Sequence, residues 1–174
     1  MATAKQLLLT FLDYSAWANQ QLLNLCGSLT VEEQERDLGA SHRSIAATLR
    51  HSFYAERVWR QRLLADAVPP MIQVGNQSLF RDPDPEPGID ALSKAWPEVS
   101  RSLREWLEGL EDADLDTELS FRYPGGETLS VSRAKLLLHS VNHSTLHRGQ
   151  VLVMLRNLGK QPANIDIFSF YMHS

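Results

Sequence analysis

The 174-residue chain is predicted to be all-α: one four-helix bundle over residues 1–174, in up-down-down-up order. Three observations predict it. Four stretches repeat apolar residues at the three- and four-residue spacing of a helix with one buried face. Capping residues, Gly and Pro bound those stretches. A proline-rich interval, Asp66 to Gly88, makes a long crossover between the second helix and the third.

The first helix carries Leu8, Phe11, Leu12, Ala18, Leu22 and Leu25, with Gly27 just past its end. Thr30 and Glu33 form a capping box that opens a short helical turn. Ser41 or Ser44 caps the second long helix, which runs to Leu64 through Leu49, Phe53, Val58, Trp59 and Leu63. Between Asp66 and Gly88 five prolines break the pattern, giving either the rim of a site or a plain surface crossover. A third helix spans Asp90 to Leu110, and Pro97 inside it predicts a kink or a restart. Leu119 to Ser130 alternates about Pro124-Gly125-Gly126 and reads as a small β-hairpin ahead of the fourth helix. That helix runs from Ser130 to Leu158, ending at Gly159 with Pro162 beyond, and the apolar tail Ile165 to Tyr171 packs on the body.

Composition sets the frame. With 43% hydrophobic and 22% charged residues the chain is ordinary for a soluble domain. A net charge of −4 gives no electrostatic footprint for nucleic acid. The single Cys26 excludes an internal disulfide framework, suits a reducing compartment and reads as buried packing. Asp13 interrupts the apolar run after Lys5 too early for a signal peptide, and no stretch approaches the ~20 apolar residues of a membrane span. A cytoplasmic protein with no membrane or nucleic-acid partner is expected.

His139, His143 and His147 stand at four-residue intervals on the fourth helix and share one face. Each interval rises about 6 Å, so the outer two are roughly 12 Å apart and cannot share an ion held by ~2 Å bonds. Either His139 with His143 or His143 with His147 forms the pair, completed from another helix. No Glu-x-x-His or Cys-x-x-Cys occurs. His51 lies midway along the second helix between Ala47 and Ala55, small neighbours that leave an imidazole room, or that serve close helix packing. His42 and His173 are expected to be solvated. His51, His143 and His147 together would make a neutral three-nitrogen set with one position open, suiting zinc, nickel, iron or copper over magnesium or calcium.

The residues Tyr14-Ser-Ala-Trp17-Ala-Asn19, Leu49-Arg-His51 with Glu56 and Trp59, and Asn142-His143-Ser-Thr-Leu-His147-Arg148-Gly149-Gln150 form a recognisable set. With them the chain resembles the DinB/YfiT-like family of bacterial metal-binding four-helix bundles, over nearly its whole length. The resemblance implies His51, His143 and His147 as metal ligands, zinc or nickel first and iron next as the metal, and a homodimer. His139 would stand one turn above, beside the pocket. Some of that family resemble S-transferases using bacillithiol or isomerases using mycothiol, which implies a small-molecule thiol and an electrophile as partners.

Metal coordination turns a thiol into a thiolate near neutral pH, so a thiol S-transferase is the leading expectation. Arg148 would steer an anionic cosubstrate or else join an ion pair. Glu56 would orient a ligand or else be solvated, and Gln150 and Tyr54 stay open between such roles. A hydrolase using metal-bound water is one alternative, wanting a general base that the sequence does not name. A non-catalytic metal- or ligand-binding bundle is the other.

Overall fold

The computed structural model describes residues 2–65, 72–73, 86–122, 125–162 and 164–172. Pro124, His173 and most of the Asp66–Gly88 interval lie outside the described residues. Four long helices build the body: α1 (Ala4–Gly27), α3 (Ile45–Leu64), α4 (Ile89–Glu108) and α5 (Arg133–Asn157). Two short ones, α2 (Val31–Glu35) and α6 (Ile167–Tyr171), flank them. Hydroxyls satisfy the exposed first-turn amides at several starts. Thr3 and Thr30 form reciprocal capping boxes with Gln6 and Glu33. Of the two serines ahead of α3, Ser44 is the cap, its Oγ accepting the Ala47 N–H at 3.1 Å.

The hairpin pairs β2 (Glu118–Arg122) with β3 (Thr128–Ser132) in antiparallel register, Phe121 opposite Leu129. Gly126 turns with φ +89°, open to a residue without a Cβ. A two-residue strand, β1 (Ile72–Gln73), adds in parallel to β2. Because Ser130 belongs to β3, α5 begins three residues later than its apolar pattern indicates. No restart divides α4, which is helical from Ile89 to Glu108 with Pro97 on its exposed side.

Side-chain pairings fix the helix directions. Arg104 of α4 meets Asp13 of α1 at 2.7 Å, and Lys5 donates to the Glu108 carbonyl at the far end of α4, so α1 and α4 run antiparallel. Phe53, Glu56 and Arg60 of α3 meet Trp96, Ser100 and Ser102 of α4 in ascending order, so those two are parallel. His51 and Trp59 of α3 meet His143 and His139 of α5 in descending order, so these are antiparallel. The order is up-down-down-up. Parallel neighbours cannot be joined by a tight turn, because the chain must travel back along a 20-residue helix of about 30 Å. The long interval between α3 and α4 supplies that return.

The core divides into two apolar clusters. One joins Leu22 and Leu23 to Ile45, Phe53, Trp96 and Met154; the other joins Leu8 and Leu12 to Leu63, Leu103, Leu107 and Leu137. Between them lies a buried polar layer of Ser15, Asn19, Glu56, Ser140, Ser144 and Arg148. Cys26 is fully buried and its thiol is pushed up to about 12 by desolvation, as packing requires. Among the described residues no helix is long and apolar enough to cross a membrane.

Candidate metal centre

Where α3 and α5 face each other, four imidazoles converge. The Nε2 atom of His143 lies 3.2 Å from Nε2 of His51 and 3.2 Å from Nε2 of His147. A neutral ring nitrogen carries either one hydrogen or one lone pair, so His143 Nε2 can form one ordinary hydrogen bond, not two. Nitrogens sharing a tetrahedral ion with ~2 Å bonds stand about 3.3 Å apart, so the spacing here matches a ligand edge. Ring centres agree, at 5.1 Å for His51–His143, 4.4 Å for His143–His147 and 4.7 Å for His51–His147. Imidazoles around one tetrahedral ion place their centres about 5 Å apart.

One ligand face is fixed from behind. His147, buried on α5, has its Nδ1 2.9 Å from Gln150 Oε1, which also accepts from Ser41 Oγ at 3.2 Å. An amide oxygen can only accept, so Nδ1 carries the hydrogen and the Nε2 lone pair is left for the site. Gln150 is one helical turn beyond His147, which makes the contact local to α5.

The electrostatics keep the lone pairs free. Burial, followed by repulsion from neighbouring imidazoles, holds His143 down to about 3 and His51 down to about 4. Both are neutral at pH 7, the form that binds a cation.

His42 is not solvated as the sequence suggested. Its ring stacks on His51 with centres 3.9 Å apart and stands 5.1 Å from His147. One nitrogen from each of His42, His51 and His147 lies within 4.8 Å of the others, so this trio also could hold an ion. His42 precedes the periodic part of α3, and helical spacing gives no hint of it. His139 meets Trp59 edge-on at 5.1 Å, its centre 5.9 Å from His143, one turn above the cluster as expected.

Two charged residues correct their sequence reading. Glu56 is buried, not solvated, and accepts from Trp96 Nε1 at 2.9 Å, Ser100 Oγ at 2.6 Å and Asn19 Nδ2 at 3.5 Å. Burial raises its carboxyl above the usual range, against those hydrogen bonds and the Arg148 charge. Arg148 is buried against α1, donating to Ser15 Oγ and Asn19 Oδ1 at 2.9 Å and to Thr145 Oγ1 at 2.8 Å. It lies over the Tyr14 ring at 5.1 Å. Residues adjacent on a helix point about 100° apart, which turns Arg148 from the imidazoles into the polar layer. Tyr54 packs between Phe53 and the Arg57 guanidinium.

Comparison with known proteins bears on the family and the fold. A sequence profile described as the DinB family matches residues 1–173. Protein DinB of Bacillus subtilis is 27% identical over 158 residues, which is 88% of this chain and 87% of that protein. The crystal structure of a DinB-like protein from Bacillus cereus superposes with a TM-score of 0.56 at 20% identity, over 87% of this chain and 91% of that one. At that identity the likeness concerns the fold alone.

Proposed function

We propose that this chain, which belongs to the DinB family, binds a divalent transition metal through His51, His143 and His147 and uses it in thiol S-transfer. The observation that carries the metal reading is that His143 Nε2 stands at ligand-edge spacing from Nε2 of both His51 and His147, with His147 oriented by Gln150. The all-nitrogen donor set suits zinc, nickel, iron or copper, of which we take zinc or nickel first and iron next. When bound, such a cation supplies Lewis acidity that stabilises a thiolate over a thiol at neutral pH. Neutral imidazoles leave that positive charge uncompensated, which favours an anionic sulfur over water at the remaining position. His139 and Trp59 flank the cluster on one side, where a cosubstrate would meet them.

The transfer reading draws on the family. Among the described residues Glu56, a carboxylate that could have served as general base, is already hydrogen-bonded by Asn19, Trp96 and Ser100. A small-molecule thiol and an electrophile are the proposed substrates, and a homodimer the proposed assembly.

Elemental analysis of protein purified without a histidine tag tests the first part. One metal per chain is expected, lost in His51→Ala and in His147→Ala; unchanged stoichiometry in either variant refutes the ligand set. Thiol-depletion assays with bacillithiol, mycothiol and glutathione against a panel of electrophiles test the second. Metal binding without thiol consumption would leave a non-catalytic binding bundle.

A further inference from the structure

Three imidazoles leave one corner of a tetrahedral site open, and a further imidazole stands beside them: a ring nitrogen of His42 lies within 4.8 Å of one on each of His51 and His147. It stands on a turn built with unusual care. Ala40 and Arg43 form an isolated bridge, with Arg43 N–H to Ala40 carbonyl at 2.8 Å and Leu38 N–H to Arg43 carbonyl at 2.7 Å. Arg43 takes φ +68°, a left-handed conformation that a side chain with a Cβ disfavours. Asp37 holds it there, pairing with the Arg43 guanidinium at 2.7 Å and accepting the Gly39 N–H at 3.1 Å. Ser41 ties the same turn to Gln150, and so to the back of His147.

We propose that His42 is a fourth, displaceable imidazole ligand, carried by this turn over the corner that His51, His143 and His147 leave open. The proposal rests on the metal-binding reading above and adds to it a closed four-nitrogen state that an incoming ligand must open. The distances set what closure requires. His42 already stands at ligand spacing from His147, 5.1 Å between centres, but its 3.9 Å stack on His51 must widen by about an ångström. His51 is fixed to a 20-residue helix, so the turn makes that movement. The same small displacement, continued, uncovers the corner. Backbone strain at Arg43 makes the turn the part of the site with most to gain from shifting.

Azide titration of the cobalt-loaded, tag-free full chain, followed in the visible spectrum, tests this. Wild type is expected to bind one cobalt per chain and to take azide with an apparent affinity about ten-fold below that of His42→Ala, if the closed state holds some nine-tenths of the molecules. Asp37→Ala keeps the imidazole but loosens the turn, and its azide affinity is expected between the two. Equal azide affinity and an unchanged cobalt spectrum in His42→Ala would overturn the proposal and leave the three-ligand reading intact. Loss of cobalt from His42→Ala would also overturn it, by making His42 one of three obligatory ligands. Failure of wild type to bind cobalt stoichiometrically would overturn the metal reading itself. An Asp37→Ala affinity equal to wild type would refute the turn as the restraint.

Discussion

Replacing Gln150 by Ala removes the acceptor of His147 Nδ1–H without touching a ligand atom. The remaining ring can protonate at either nitrogen, and the tautomer with hydrogen on Nε2 cannot bind a cation. One hydrogen bond of 2.9 Å contributes about 0.5–1.5 kcal/mol net, and loss of the link to Ser41 frees the ring further. Together these give about 1–2 kcal/mol in metal affinity, roughly a five- to thirty-fold weakening. Competition with a chromophoric chelator would measure it. Gln150→Glu keeps an acceptor, now charged, and should bind metal at least as tightly as wild type. Gln150 is only half-buried, so the metal-free melting temperature of either variant should stay near that of wild type. Affinity within two-fold of wild type in Gln150→Ala would refute the orienting role. So would a Gln150→Glu protein as weak as the alanine variant.

Glu56 gives a pH signature. Its folded-state carboxyl is raised, so the native state holds its proton to higher pH than the unfolded chain does. The associated stability is complete below the unfolded value of about 4.3 and falls as pH rises toward the raised one. Glu56→Gln cannot titrate, so wild-type stability measured against it should decline from pH 4 upward; a difference constant with pH would show that burial does not govern this carboxyl. Arg148→Met strands Ser15, Asn19 and Thr145 and should cost about 2–4 kcal/mol, lowering melting by roughly 5–15 °C while metal stoichiometry holds. Loss of metal at an unchanged melting temperature would place Arg148 at the site instead. Cys26, fully buried with its thiol near 12, should react with a thiol reagent only at the rate of unfolding; fast labelling of native protein would contradict that burial.

Apolar spacing and caps were enough to locate all four long helices, because each buries a face whose period the sequence displays. The crossover was legible too, since prolines cannot continue a helix. Ends were not. Ser130 and its neighbours suit a helix start equally well, and only pairing with β2 makes them strand. At the site, helical spacing barred the three histidines of α5 from sharing one ion but left His139 with His143 as open as His143 with His147, and the family resemblance chose the second pair. His51 needed the family resemblance, since alanines on either side of it serve helix packing as well. His42 could not be read at all. Its place depends on a left-handed residue at 43 and an ion pair to Asp37, neither of which leaves a periodic trace.

The two buried charges were misread for one physical reason. A hydrophobicity pattern counts Glu and Arg as surface, yet a charge can be buried where hydrogen bonds offset part of its lost hydration. Glu56 has three donors, and Arg148 three acceptors, drawn from α1, α4 and α5. Asn19 joins them, donating to Glu56 and accepting from Arg148, so one amide links the acid of α3 to the base of α5 across α1. The His143 to Gln150 run therefore divides by angle around its helix. Residues 143, 147 and 150 recur at the spacing of one face and build the metal centre, while residue 148, turned by about 100° from 147, anchors the helix that presents them. A layer that accepts only complementary donors and acceptors fixes the rotation and height of α5 more narrowly than apolar packing would. The imidazoles of α3 and α5 must meet within tenths of an ångström. The polar layer joins α3 to α5 through Asn19 of α1, and that register is what it supplies.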